Sequence, residues 1–382
     1  MSSSALPTPT TPLRYQPELM GLRAVAVGLV ALHHWSLMSF PLGELGRLPL
    51  FVLSGYLISA ILWKNTIYWG GPPGWPRRLG IFYSRRFLRI IPPYYAALAL
   101  GALLPLSTLR EYPGWFLLPI SNILCYQLQR WPEGLGHYWS MAVEEQFYII
   151  WPLVLGLLKR RAAGLWLMIG LAISYRIYAA VYLTPAAPGF ATVLLPSCID
   201  LFAIGALLRQ HTAADRANPD AATPWPGWPA ALTWLAWVVL WYFTDRPGSG
   251  EIVWIAIYPS LGATAGYFTL RWLMHGPPLA RWLAHPLAQW LGQRSYGLYL
   301  FHLMLPVFYQ RLVYHLLPAS QPHAAALRQF WLQPLPTILL LTPLAIALSA
   351  ASWHWLEAPL DKLRYKLTYT RPAVKAPAAA TP

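Results

Sequence analysis

The sequence predicts an all-α polytopic membrane protein with about ten transmembrane helices around a polar cavity and both termini cytoplasmic. Three observations predict it. Of 382 residues, 57% are hydrophobic and only 11% are charged, where a soluble domain carries about 25% charged residues. The apolar residues fall in runs near the roughly 20-residue length that crosses the hydrocarbon core. The basic residues, which give a net charge of +15, are dense in alternate loops, as the positive-inside rule requires.

The apolar runs lie near residues 20–39, 46–63, 91–108, 138–158, 164–183, 190–209, 228–243, 252–273, 293–316 and 334–356. The seventh is the shortest. A further apolar run at 114–126 is too short to span and reads as an interfacial or re-entrant piece. Arg77, Arg78, Arg85, Arg86, Arg89, Lys159, Arg160, Arg161, Arg209, Arg216, Arg281, Lys362, Arg364 and Lys366 all fall on one side of this arrangement, which is therefore cytoplasmic. The opposite loops hold only Arg110, Arg130, Arg246 and Arg328. Residues 1–18 read as a disordered cytoplasmic tail without the features of a signal peptide. Residues 19–360 read as the transmembrane domain and 361–382 as a basic, Ala/Pro-rich cytoplasmic tail. The loop 211–227 is similarly Ala/Pro/Thr-rich and reads as mobile.

Composition also excludes function classes. The positive charge does not indicate nucleic acid, because the basic residues sit between apolar runs. The 21 Trp and 22 Tyr suit aromatic belts at the two interfaces. Cys125 and Cys198 do not form a disulfide framework, since Cys198 lies inside an apolar run. No phosphate-binding glycine loop, dinucleotide fingerprint, Cys/His metal spacing or GxSxG elbow is present. Ser54 and Gly55, inside LFVLSGYLIS, read as a small pair that lets helices approach.

Ionisable residues inside the spans are costly and mark function. Arg23 and His34 are eleven residues apart, or roughly 1100° along a helix, which leaves them about 20° from one face. They form one stripe of the first span, Arg23 toward the cytoplasm and His34 toward the far side. The competing reading has Arg23 snorkelling to the headgroups and His34 as a satisfied interior histidine. His33 points away from the stripe. In GHYWSMAVEEQFYIIWP, residues 136–152, Glu144 and Tyr148 share a face at i, i+4 spacing and Glu145 points elsewhere. His137 and Trp139 mark the interface before them. Arg176, Asp200 and His302 complete the set. Such residues must gather in a polar cavity, either a transport path or an active site. Arg85, Arg86 and Arg89, in the cytoplasmic loop YSRRFLRIIPPYY, have the chemistry to grip phosphates bidentately.

Together these blocks resemble the integral-membrane acyltransferase family 3, over most of the chain. Arg23 and His34 match its arginine, ten residues, histidine pattern. LFVLSGYLIS is similar to its FFVLSGFLI, YSRRFLRIIPPYY to its RRxxRIxP, and HYWSMAVEEQFYIIWP to its WSLAVEEQFYLLWP. LPSCIDLFAIGALL, SYGLYLFH and HWLEAPLDKL resemble its later segments, in the same order. One departure stands out: Cys198 occupies the place where the family often has an arginine beside the aspartate, which leaves Arg176 as the candidate partner of Asp200. The resemblance implies the membrane domain without the periplasmic hydrolase-like domain of some relatives.

The resemblance further implies an enzyme that moves an acyl group, often acetyl, from cytoplasmic acyl-CoA to a hydroxyl of an extracytoplasmic or lipid-linked carbohydrate such as an exopolysaccharide, in a bacterial inner membrane. Acetyl-CoA enters as donor substrate, with no permanently bound cofactor or metal and no nucleic-acid partner. On this reading Arg85, Arg86 and Arg89 bind the CoA phosphates, and Arg23 holds the donor at the cytoplasmic mouth. His34 acts as general base with Glu144 orienting it, or else carries the acyl group itself. Glu145, Tyr148, Arg176, Asp200 and His302 support the cavity. Tryptophans around 112–139 suit either a sugar-stacking surface or an interfacial belt. The rival class is a transporter or flippase, for which inverted repeats would speak; none is visible. A non-catalytic scaffold leaves the Arg23–His34 stripe unexplained.

Overall fold

The computed structural model describes residues 15–36, 40–65, 74–104, 106–158, 161–183, 188–217, 225–244 and 251–369. Among them every regular element is helical. Helices α1 (Pro17–Ser36), α2 (Leu42–Lys64) and α3 (Trp75–Leu103) are followed by the short α4 (Ser107–Glu111), α5 (Pro113–Leu117) and α6 (Ser121–Leu128). Then come α7 (Tyr138–Leu158), α8 (Ala162–Tyr178, extended by a π-helical turn to Leu183), α9 (Leu195–Ala217), α10 (Trp228–Thr244) and α11 (Glu251–Leu273). The last third holds α12 (Pro278–Leu283), α13 (Pro286–Gln293), α14 (Ser295–Phe301), α15 (Met304–Leu316), α16 (Ala324–Trp331), α17 (Pro334–Ser352) and α18 (Ala358–Lys366).

Five stretches are long and apolar enough to cross a membrane: 42–64, 138–158, 162–183, 252–273 and 334–366. They mark an integral membrane protein. Helix α7 shows why this class of helix is apolar all round. Leu155 is 1% exposed on its inner side and Leu157 is 81% exposed on its outer side, so lipid replaces the polar face of a surface helix.

The main core joins α2, α7 and α9. Phe147 stacks on Phe202 with ring centroids 3.8 Å apart, and Trp151 donates to Ser59 at 2.8 Å. Gly55 and Gly205 set how closely α2 and α9 approach. A Cβ at Gly55 would lie 2.2 Å from the Phe202 carbonyl oxygen, and one at Gly205 would lie 2.1 Å from that of Val52. The Ser-Gly packing role expected from the sequence thus holds for the glycine.

Several boundaries differ from the sequence expectation. The stretch 83–95 is not a loop. It belongs to α3, which starts at Trp75 and continues through Pro92 and Pro93. Residues 211–217 extend α9 instead of opening a mobile loop, where Asp215 accepts from Arg271 at 3.1 Å. Residues 361–366 are helical, with Arg364 donating to Asp361 at 3.0 Å. Residues 1–14, 218–224 and 370–382 of the expected tails and loop lie outside the described residues. The 114–126 piece falls in two short helices, α5 and α6, the first pinned from α3: Tyr94 and Tyr95 each donate to a backbone carbonyl, of Phe116 and Leu117, at 2.6 Å.

The ninth expected span is broken between α14 and α15 at His302–Leu303. Proline at 306 has no N–H to give the carbonyl four residues back, which is that of His302. That freed carbonyl accepts the indole N–H of Trp35 on α1 at 2.8 Å.

Candidate active site

A cavity of about 250 Å³ opens where α1, α2, α3, α7 and α14 converge. Arg23 reaches it from α1, Arg47 and Ser54 from α2, and Arg86 and Arg89 from one side of α3. Glu144, Glu145 and Tyr148 reach it from α7, and Tyr299 from α14. Ser54 Oγ donates to Glu144 Oε1 at 2.7 Å. Arg23 Nε donates to Ser295 Oγ at 3.3 Å. Arg47 is paired with Glu44 one helical turn away and lies over the Trp139 ring at 5.0 Å. Arg86 lies 5.5 Å from the Tyr148 ring centre. Four guanidinium groups thus face two carboxylates, with one of the four already neutralised, and the chamber favours an anionic ligand.

This chamber adjoins a second of about 480 Å³, lined by Lys64, Arg85, Arg364 and Tyr369. Ile61, Arg86 and Arg89 line both. Arg85 lies 5.5 Å from the Tyr369 ring centre. The RRxxR spacing has a concrete consequence. Helical turns put Arg86 and Arg89 where both chambers meet, and leave Arg85 on the outer one. Basic chemistry therefore runs continuously from the outer chamber to Glu144.

His34 lies apart from this cavity. Its Nδ1 is 3.0 Å from His302 Nε2. His302 Nδ1 is 2.8 Å from the Tyr299 carbonyl, and the His137 ring packs on His302 with centroids 4.4 Å apart. His137 Nε2 lies 3.2 Å from the Leu300 carbonyl. Tyr299 joins the two regions: its ring lines the cavity and touches His137 and His302, at 5.4 and 5.3 Å. Its hydroxyl lies 2.5 Å from Ser140 Oγ, which in turn donates to the His137 carbonyl at 2.9 Å.

A third group is separate again. Arg176 makes a bidentate pair with Asp200, both bonds 3.0 Å, and both side chains are fully buried. Arg176 also donates to the carbonyls of Ala256 and Ser197 and to Ser260 Oγ. Ser260 donates to Asp200 at 2.6 Å. Every polar atom of the pair has a partner, as a buried ion pair requires. The pair fastens α8, α9 and α11 together.

The sequence expectations therefore sort as follows. Arg23, Glu144, Tyr148, Arg86 and Arg89 share one cavity. Glu145, expected to point elsewhere, lines it too, because the chamber wraps around the start of α7. Arg176 is Asp200's partner as expected, but neither belongs to the cavity. They are a structural clamp deep between three other helices. Glu144 does not orient His34. Its carboxylate takes Ser54, and His34 sits beyond the Tyr299 wall with His302 as partner. His33 packs edge-on to His34 at 5.4 Å and against Gly43.

Sequence reasoning missed Arg47, Ser54, His137, Ser140 and Tyr299. A signal existed for two of them: Arg47 and Ser54 are seven residues apart, two turns on one helix face. His137, which its place in the sequence puts at the interface, is 3% exposed.

A family model described as an acyltransferase domain, Acyl_transf_3, matches residues 16–354. Over 190 residues, 45% of this chain, the sequence is 30% identical to the peptidoglycan O-acetyltransferase OatA of Listeria monocytogenes, covering 29% of that protein. Over 168 residues, 39% of this chain, it is 33% identical to the O-acetyltransferase OatA of Staphylococcus aureus, covering 26% of that protein. The chain thus spans under a third of the length of these curated relatives. No solved structure matches it with significance. The match over residues 16–354 takes in every helix that builds the cavity and the histidine cluster, and the chain belongs to acyltransferase family 3.

Proposed function

We propose that the protein is a membrane O-acetyltransferase that uses cytoplasmic acetyl-CoA to acylate a hydroxyl of an extracytoplasmic or lipid-linked carbohydrate. The observation that carries this reading is the junction of the two chambers at Arg86 and Arg89. An anionic nucleotide head fits the outer, basic chamber, and an uncharged arm threads inward past Glu144. The O-acetyltransferase names of the relatives support the acetyl group and a glycan acceptor. The apolar runs support ten spans, the loop charges support cytoplasmic termini, and the family resemblance supports an inner-membrane location.

In this mechanism Arg85, Arg86 and Arg89 bind the donor phosphates, joined by Lys64 and Arg364, and Arg23 holds the donor at the cytoplasmic mouth of the cavity. His34 removes the proton of the acceptor hydroxyl. The hydroxyl oxygen then attacks the thioester carbonyl carbon, the C–S bond breaks, and the CoA sulfur leaves and takes up the proton. The relay version differs in one respect: His34 first accepts the acyl group from the thioester and then passes it to the hydroxyl oxygen.

The test uses the purified full chain in lipid. His34→Ala and Arg23→Ala should abolish acetyl transfer while the protein still accumulates. Near-full transfer by His34→Ala would overturn the assignment. Thiol release from acetyl-CoA separates an enzyme from a transporter. A labelled acyl-enzyme that forms without acceptor and vanishes in His34→Ala selects the relay. Mass spectrometry of surface glycans with and without the protein identifies the acceptor by its lost acetyl increment.

A further inference from the structure

The three histidines form a chain whose hydrogen bonds fix where its protons lie. It begins at His302. Its Nδ1 is 2.8 Å from the carbonyl of Tyr299. A carbonyl only accepts, so this nitrogen carries the hydrogen, and the neutral ring must present a lone pair at Nε2. His302 is wholly buried, which disfavours a second proton. That lone pair faces His34 Nδ1 at 3.0 Å. The contact is a hydrogen bond only if His34 Nδ1 is the donor. The His34 lone pair is then at Nε2, on the ring edge directed away from the bond.

His302 is itself over-determined. Its ring is flanked by His137 at 4.4 Å and Tyr299 at 5.3 Å. Its backbone carbonyl is held by Trp35, which stands one residue after His34 on α1. His137 cannot compete for the His302 Nε2 lone pair, because its own Nε2 faces the Leu300 carbonyl at 3.2 Å and donates there. Of the three rings, His137 and His302 are buried and His34 is partly exposed. The chain thus ends in one accessible imidazole with one determined free nitrogen.

We propose that His302 is a positioning residue that holds His34 in its Nδ1–H tautomer, so that Nε2 is the nitrogen offered to the acceptor hydroxyl or the acyl group. It takes the place that a carboxylate fills in a Ser-His-Asp triad, as a neutral acceptor in place of an anion. The inference rests on the reading of His34 as the reacting residue, and it names the atom that reacts.

Two measurements test it. His302→Gln keeps an acceptor oxygen near the position of Nε2, and His302→Met fills the space without one. Relative to wild type, His302→Met should lower kcat by at least roughly 10–100-fold, the scale seen when the outer partner of a metal-bound histidine is removed. KM for acetyl-CoA should be unchanged and thermal unfolding close to wild type, with kcat largely restored in His302→Gln. Equal kcat in the two variants overturns the proposal. The second measurement needs no His302 variant. Histidine ring-nitrogen NMR of the wild-type protein, with His34 assigned by difference from His34→Gln, should show Nδ1 protonated and Nε2 bare. The opposite tautomer overturns the proposal whatever the variants do. Failure of the underlying reading has a different signature: acetyl transfer survives in His34→Gln.

Discussion

Ser54 Oγ donates a hydrogen bond to Glu144 Oε1 across the central cavity, at 2.7 Å. The bond ties the small residue of α2 to the first carboxylate of α7, in a chamber that also holds Arg23, Arg86 and Arg89. Removing it leaves a carboxylate oxygen short of a donor, at a cost of about 1.5–3 kcal/mol for a bond to a charged group. Ser54→Ala should therefore lower kcat/KM for acetyl transfer roughly 10-fold or more, while Ser54→Thr, which keeps the hydroxyl, stays closer to wild type. Steady-state kinetics on the reconstituted protein decide it. Equal rates for Ser54→Ala and wild type would remove Ser54 from the site.

The outer chamber offers a separable prediction. Arg85 and Lys64 line it without lining the inner one. Arg85→Gln and Lys64→Gln should raise KM for acetyl-CoA, on the order of 10-fold for the pair, and leave kcat alone, since they remove binding made equally in ground and transition states. The defect should shrink for a donor truncated to its pantetheine arm. A kcat defect with unchanged KM argues against phosphate binding there.

The buried Arg176–Asp200 pair belongs to stability. Asp200→Leu alone leaves a guanidinium uncompensated and should cost about 3–5 kcal/mol, enough to abolish accumulation of folded protein. Arg176→Met combined with Asp200→Leu should recover much of the yield, and whatever folds should retain acetyl transfer. Detergent size-exclusion profiles and unfolding curves read the first result, and activity reads the second. A double variant that folds but is inactive would return the pair to the catalytic machinery.

Helix contact at Gly55 is equally specific. A Cβ there would meet the Phe202 carbonyl oxygen at 2.2 Å, backbone that has no rotamer to turn away. Gly55→Val should destabilise by about 1–3 kcal/mol or more. Gly170→Val, at a glycine with nothing within 4 Å of an added Cβ, should be tolerated. Parallel unfolding curves compare the two.

Topology is testable because both native cysteines are buried and so poorly reactive. Cysteine at Trp131, an exposed position, should react with a membrane-impermeant maleimide in intact cells. Cysteine at Arg161, also exposed, should react only after permeabilisation. The reverse pattern inverts the orientation.

Much of the helix order was legible because burial in lipid and burial in protein both demand apolar residues, so runs of them mark the helices whichever surface they meet. The start of α3 was not. Arg77 through Arg89 read as a loop by hydropathy, whereas three of those arginines line chambers inside the molecule. The sorting of the polar residues was legible only in part. Arg176 with Asp200 was anticipated, because few partners were on offer. That Glu144 takes Ser54 and leaves His34 to His302 depends on the relative height of α1, α7 and α14. Spacing along a single helix carries no information about that height. His137 shows the same limit: it precedes a carboxylate pair in sequence, but meets α14 in space.

Proline at 306 deprives the His302 carbonyl of its helical partner, and Trp35 claims what is left over. A missing amide hydrogen in one helix thereby becomes the latch that aligns another, next to the residue on which the proposed chemistry turns. Alanine at 306 would heal the helix and release the indole. A transplant of His34 and His302 into another scaffold would need that defect to travel with them.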